Sequence, residues 1–199
     1  MKKLMSVAAA LCLVAMATAA FAQPEDGDFG LTFDLGFSQP SADPPRFTQD
    51  NKLYVLGYNL SPEVCGYEFG LVIDPNMIIF GSQAEPAATS INLGPAPTNW
   101  IVGTGGNYTG TGNVLLVTLT WGTFNATATD MTVCMTPATP SSFVPPVPGW
   151  LECGTDLLIP AGTGNSSVAY GDGCAVAYPT LEPPVGADTT SWGAVKSQF

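Results

Sequence analysis

Histidine is absent, and charge of either sign is scarce at 11% of the 199 residues, with five Lys and Arg against 16 Asp and Glu. Each shortage excludes something. Without histidine, Ser- or Cys-based triads lose their usual base, and histidine-ligated zinc sites are ruled out. A Ser–Lys pair is conceivable only through Lys52, which adjoins no serine. So few cations exclude a nucleic-acid surface and disfavour anionic membranes, because phosphate affinity comes from Lys and Arg. Apart from the N-terminal stretch, no run is long or apolar enough to cross a bilayer. A helical period is also missing, except over Ser191–Phe199, where Trp192, Val195 and Phe199 could share a face.

Residues 1–22 read as an export signal. Lys2 and Lys3 form the positive end, Leu4 to Ala19 the apolar stretch, and Ala20-Phe21-Ala22 a small-x-small cleavage site before Gln23. Cys12 does not read as a lipidation site: Ala9-Ala10-Leu11 lacks a leucine three residues before it, and it falls too early in the apolar stretch. Cleavage would leave Arg46, Lys52 and Lys196 against 16 acids, a net charge near −13. The expected layout is a signal peptide over 1–22, a β-sandwich domain over 23–178, and a Pro-rich spacer with a short tail over 179–199. The expected location is extracellular, periplasmic or cell-surface, with no direct membrane insertion after cleavage.

Export changes how the cysteines read. Cys65, Cys134, Cys153 and Cys174 form an even set in an oxidising compartment, which implies two disulfides. Metal binding would need closely spaced ligands, and the nearest of the four are 19 apart. Three pairings are possible. Cys65–Cys134 with Cys153–Cys174 is favoured, since the first two sit in strand-like segments and the second two close a Gly-rich loop.

The period of two dominates the chain. Phe29, Leu31, Phe33 and Leu35 alternate with small or polar residues. Residues 52–60 are apolar on both faces. In 64–73, Cys65, Tyr67, Phe69, Leu71 and Ile73 share one side, leaving Glu68 to meet solvent on the other. Asp74-Pro75-Asn76 is a turn by composition, and Met77 to Phe80 resumes as a strand. Further strands are expected over 88–93, 99–103, 113–121, 130–135, 156–159, 166–170 and 174–178. The Gly-rich stretch 103–112 (GTGGNYTGTG) matches neither a phosphate loop nor a dinucleotide fingerprint, and reads as a flexible hairpin or crossing loop. Pro137 to Pro148 reads as a crossing loop. Closely spaced turn signals throughout point to an all-β sandwich of immunoglobulin or jelly-roll type.

Around residues 53–80, LYVLGYNLSPEVCGYEFGLVIDPNMIIF resembles the opening of cohesin-like domains: a strand, a small-residue turn, an aromatic-rich strand (Gly66-Tyr67-Glu68-Phe69), then an Asp-Pro-Asn turn. NVLLVTLTWGTFNATATDMTV, at 113–133, resembles their later strand pair. The resemblance covers about half of the chain beyond residue 22. It implies a jelly-roll β-sandwich and a role in protein docking. Dockerin recognition does not carry over, because no residue set here matches a recognition motif, and the four cysteines depart from the cohesins of cellulose-degrading assemblies. The ending Ser191-Trp192-Gly193-Ala194-Val195-Lys196 resembles a short tail on exported bacterial proteins, which implies sorting or attachment.

The remaining chemistry is limited. Paired carboxylates are the one catalytic option, as in glycoside hydrolysis, but no pattern selects a pair. Calcium could be held by Asp26 and Asp28, or by Asp172 between glycines, although neither stretch has EF-hand spacing and a solvated acidic turn accounts for both. Trp100, Tyr108 and Trp150 fall in or beside apparent loops and are candidate platforms for a sugar ring. Tyr54 and Tyr58 share a strand face but read as core. Glycosylation-type sequons occur at Asn59, Asn107, Asn125 and Asn165; behind a bacterial-looking signal these are expected to stay unmodified. The reading that follows is a secreted, non-catalytic interaction or structural module that takes a protein or glycan partner. Protein docking is favoured, a carbohydrate-binding module is the alternative, and a carboxylate-dependent glycosidase comes third.

Overall fold

Strands form wherever side chains of one kind recur every second residue, because that spacing puts them on one face of a pleated ribbon. The computed structural model describes residues 26–35, 41–42, 49–60, 63–108, 112–125, 130–162 and 174–177. Among these the chain forms twelve strands and no helix: β1 (Phe29–Thr32), β2 (Ser41–Ala42), β3 (Asn51–Tyr58), β4 (Val64–Ile73), β5 (Ile78–Ala84), β6 (Ile91–Asn92), β7 (Asn99–Tyr108), β8 (Asn113–Gly122), β9 (Met131–Thr136), β10 (Gly149–Glu152), β11 (Leu158–Pro160) and β12 (Cys174–Ala177). The expected strand over 166–170 and the C-terminal helical turn lie outside the described residues, as do residues 1–25.

Two sheets face each other. The first runs β1-β3-β8-β5; the second runs β11-β10-β4-β9-β12-β2, with β7 paired to β4 and β6 paired to β7. Leu53, Val55, Val117, Leu119 and Trp121 fill the inner face of the first sheet, and Tyr67, Phe69, Leu71, Val102 and Met131 that of the second, all 4% exposed or less. Phe29 on β1 meets Phe69 on β4 edge-on across the gap, with ring centroids 6.1 Å apart. Burying each such side chain contributes about 1.5–3 kcal/mol.

Strand β4 organises the second sheet. β7 takes one of its edges, while β10 (at Val64–Glu68) and β9 (at Gly70–Ile73) divide the other. The Pro-rich segment 137–148 therefore leaves β9 and returns beside it as β10. It does not cross between sheets. Asn99, at the start of β7, holds it by a reciprocal pair: Nδ2 donates to Thr139 O and Oδ1 accepts from Thr139 N, both at 2.8 Å. Strand β10 escaped the sequence reading because its four residues lie between Pro148 and the Cys153-Gly154 turn. β2 escaped because it has only two.

The sequence-favoured disulfide pairing is overturned. Cys65 bonds Cys153, and Cys134 bonds Cys174. Cys65 and Cys134 do sit on neighbouring strands, but Cys134 lies opposite Val72. Val72 is seven residues along β4 from Cys65, roughly 23 Å at the usual rise per residue. Cys134 instead faces Cys174 in the β9–β12 ladder, with Cα atoms 4.0 Å apart. Cys153 follows β10 along the edge of β4, its N–H bonded to Glu63 O, and lies 5.0 Å from Cys65 between Cα atoms.

Candidate functional site

The aromatic residues expected to be platforms lie inside. Trp100 alternates with Ile101 along β7 and points inward with Val102; it is 1% exposed, packs 6.2 Å from Phe69, and donates from Nε1 to Pro97 O (2.9 Å). Trp150, on β10 opposite Tyr67, is 3% exposed and belongs to the same core. Tyr108 is half-buried, and its hydroxyl donates to Leu115 O (2.7 Å). The physical reason is β7 itself. The glycines of 103–106 do not open a loop there but extend the strand to Tyr108, and Trp100, its second residue, alternates inward to the core. Tyr54 moves the other way. It alternates with the fully buried Leu53 and Val55 and lies half-buried on the outer face of the first sheet, with Tyr58 also half-buried at the end of the same strand.

Burial raises the Tyr67 phenol well above the ordinary tyrosine range, against the opposing pull of a hydrogen bond with the Glu85 backbone, and burial also raises that of Tyr108, where the Glu85 charge adds to it. The Tyr67 hydroxyl donates to Leu116 O (2.5 Å) and accepts from Glu85 N (3.2 Å), which ties the two sheets together. For calcium, Asp26 accepts from Asn59 Nδ2 (2.8 Å), and Asp172 lies outside the described residues. Among the described residues no three acidic or cysteine side chains converge.

Glu68 does not meet solvent. It is 6% exposed, on the outward face of β4, roofed by the 137–148 segment. Its Oε1 accepts from Ser141 Oγ (2.8 Å) and Ser142 N (2.7 Å). Beside it is a cavity of about 140 Å³ lined by apolar groups of Ile101, Phe143, Leu151 and Leu158, with Gly66 and Gly149 between them. The glycines make room: a Cβ on Gly149 would collide with the Phe143 ring, and one on Gly66 would come 2.8 Å from Val102 O. The row Gly66-Glu68-Gly70 on one strand face was the available signal. Two small residues flanking an acid allow another segment to lie close over it, but the sequence does not say which segment does.

A second feature lies on the first sheet. Strand β5 is its edge, and among the described residues nothing pairs with its far side. Its residues, Ile-Ile-Phe-Gly-Ser-Gln-Ala, carry no charge and no proline, the usual blunting devices of an exposed edge. A register shift between Ile79 and Gly81 sets Phe80 outward. Phe80 packs edge-on against Phe124 with centroids 6.0 Å apart. Ile78, Phe80 and Phe124 are each 42–44% exposed. The signal was legible: β5 is apolar at successive positions although only one of its faces meets the core.

No family model matches the chain, and no curated protein does. Among solved structures, the chain is similar to the seventh ScaB type I cohesin from Pseudobacteroides cellulosolvens, with a TM-score of 0.50 and 10% identity over 79% of this chain and 96% of that one. At that identity the likeness shows the fold, a cohesin-like β-sandwich, and nothing finer.

Proposed function

We propose that this chain is a secreted, non-catalytic docking module, a disulfide-stapled β-sandwich that presents the β5 edge to a protein partner. The observation that carries the reading is the open, uncharged edge of β5 with the exposed cluster Ile78, Phe80 and Phe124 beside it. Unpaired strand edges and exposed apolar clusters are surfaces that proteins use for one another. The cohesin-like fold agrees with such a role, as do the two disulfides, which suit an oxidising compartment. The glycan alternative retains Tyr108 alone, since the indoles of Trp100 and Trp150 are in the core. The glycosidase alternative has no supporting pair: the buried carboxylate, Glu68, has one oxygen taken up by Ser141 and Ser142.

The test is retention. Immobilised oxidised protein is exposed to the secreted proteins of its own source culture and, in parallel, to a polysaccharide panel. Wild type should retain a defined protein, and Phe80→Asp combined with Phe124→Asp should lose it. Retention of a polysaccharide that survives both substitutions would replace this reading with the glycan one.

A further inference from the structure

The cavity over β4 is separate from the β5 edge and has its own chemistry. Its one carboxylate is that of Glu68, which is more than nine-tenths buried. Oε1 takes both of the bonds that Ser141 and Ser142 donate. Among the described residues, the fully buried side-chain atoms that lack a partner are Asn51 Nδ2, Ser90 Oγ, Trp121 Nε1 and Trp150 Nε1. Glu68 Oε2 is not among them and accepts no hydrogen bond from the described residues, so it keeps some accessible surface, and Glu68 itself lines the cavity. Among the described residues no cation serves it. Lys52, the only Lys or Arg among the described residues, donates to Thr120 on the opposite sheet (2.7 Å). A carboxylate withdrawn from water without a counter-charge is costly, and a cation delivered to it forms a charge-assisted bond.

We propose that this cavity receives a lysine side chain from a protein partner, its ammonium on Glu68 Oε2 and its aliphatic stem against Phe143, Leu151 and Leu158. Three observations fit that occupant. A cavity of about 140 Å³ is close to the size of engineered cavities that hold one benzene-sized group, and a four-carbon stem is no larger. The walls are apolar up to the carboxylate, which matches a side chain that is apolar along its length and charged at its tip. Only one carboxylate oxygen is available, so a point-charge ammonium suits it better than the two-pronged guanidinium of arginine. The excess of 16 acids over five cations adds long-range attraction for a basic partner. The inference rests on the docking reading for its setting, but its test does not need the partner.

In that test the oxidised, ¹⁵N-labelled protein is titrated with the Nα-acetyl amides of lysine, arginine and norleucine, while amide resonances are followed. Lysine amide should move the signals of Gly66, Ser142, Gly149 and Leu151. Norleucine amide, which has the stem without the charge, should bind at least about tenfold more weakly, as expected for the loss of a charged hydrogen bond. Arginine amide should also be weaker. Glu68→Gln should reduce lysine amide to the norleucine level, and Leu158→Ser, at the exposed rim, should weaken all three. Equal binding of lysine and norleucine, shifts confined to other surfaces, or undiminished lysine binding by folded Glu68→Gln would each overturn the proposal. If Glu68→Gln fails to fold, the norleucine comparison and Leu158→Ser decide. Partner capture with a silent lysine probe removes the lysine pocket alone, whereas a responsive probe with no partner captured removes the β5 docking reading and leaves the pocket.

Discussion

At the residue scale, burial converts candidate ligand contacts into structural groups. Trp100→Ala and Trp150→Ala should each destabilise the protein by about 3–5 kcal/mol, because each removes a large core side chain and leaves a cavity. Urea unfolding measures this directly; a loss below about 1 kcal/mol would mean that the ring is not packed as described. The tyrosines give a pH signature. The phenols of Tyr67 and Tyr108 titrate higher in the folded chain than their ordinary value of 10.0, burial being the first cause. Their contribution to stability is therefore complete below pH 10 and is lost as the pH rises through the folded values, since the unfolded chain ionises first. Tyr67→Phe should flatten the fall in stability above pH 10. It should also cost about 0.5–1.5 kcal/mol at neutral pH, the net worth of a lost hydrogen bond, since Glu85 N still donates to Leu116 O without the phenol. Glu68 shows how far a single strand can be read: its outward direction was legible from alternation, but the roof over it was not.

At the element scale, strand identity was largely legible and strand neighbourhood was not. The alternating runs of β1, β3, β4 and β8 required no tertiary information, because one buried face imposes period two. The disulfides required it entirely. Cys65 and Cys134 looked equivalent because both sit in strands, yet the register of β4 against β9 places them at opposite ends of β4. Peptide mapping without reduction should recover Cys65 linked to Cys153 and Cys134 linked to Cys174. The first bridge closes a sequence separation of 88 and the second of 40. By loop entropy they should stabilise by at most about 4.6 and 3.9 kcal/mol. The double variant Cys65→Ser, Cys153→Ser should accordingly lose more stability than Cys134→Ser, Cys174→Ser, as read from denaturation midpoints. The 137–148 segment makes the same point. Its prolines announced irregular chain, but its course over β4 depends on Asn99 and Glu68, 40 and 73 residues from the groups they hold.

At the scale of the whole molecule, the β5 edge and the roofed face of β4 are the two surfaces proposed for partners. Phe80→Asp with Phe124→Asp changes exposed positions, so the unfolding midpoint should move little, within about 0.5 kcal/mol per site, while partner retention falls. A large loss of stability would place those rings in the core and remove the surface. Composition alone narrowed the chemistry: without histidine there is no histidine-based triad or zinc site, and five cations leave little to bind phosphates. Periodicity determined that the chain is a β-sandwich, because alternation is a local property that each strand carries by itself. The tertiary structure decided which cysteines bond, which aromatic rings are buried, and which carboxylate lies beneath a loop. Those outcomes depend on register and on which strands become neighbours, and both are set by contacts between residues far apart in the chain.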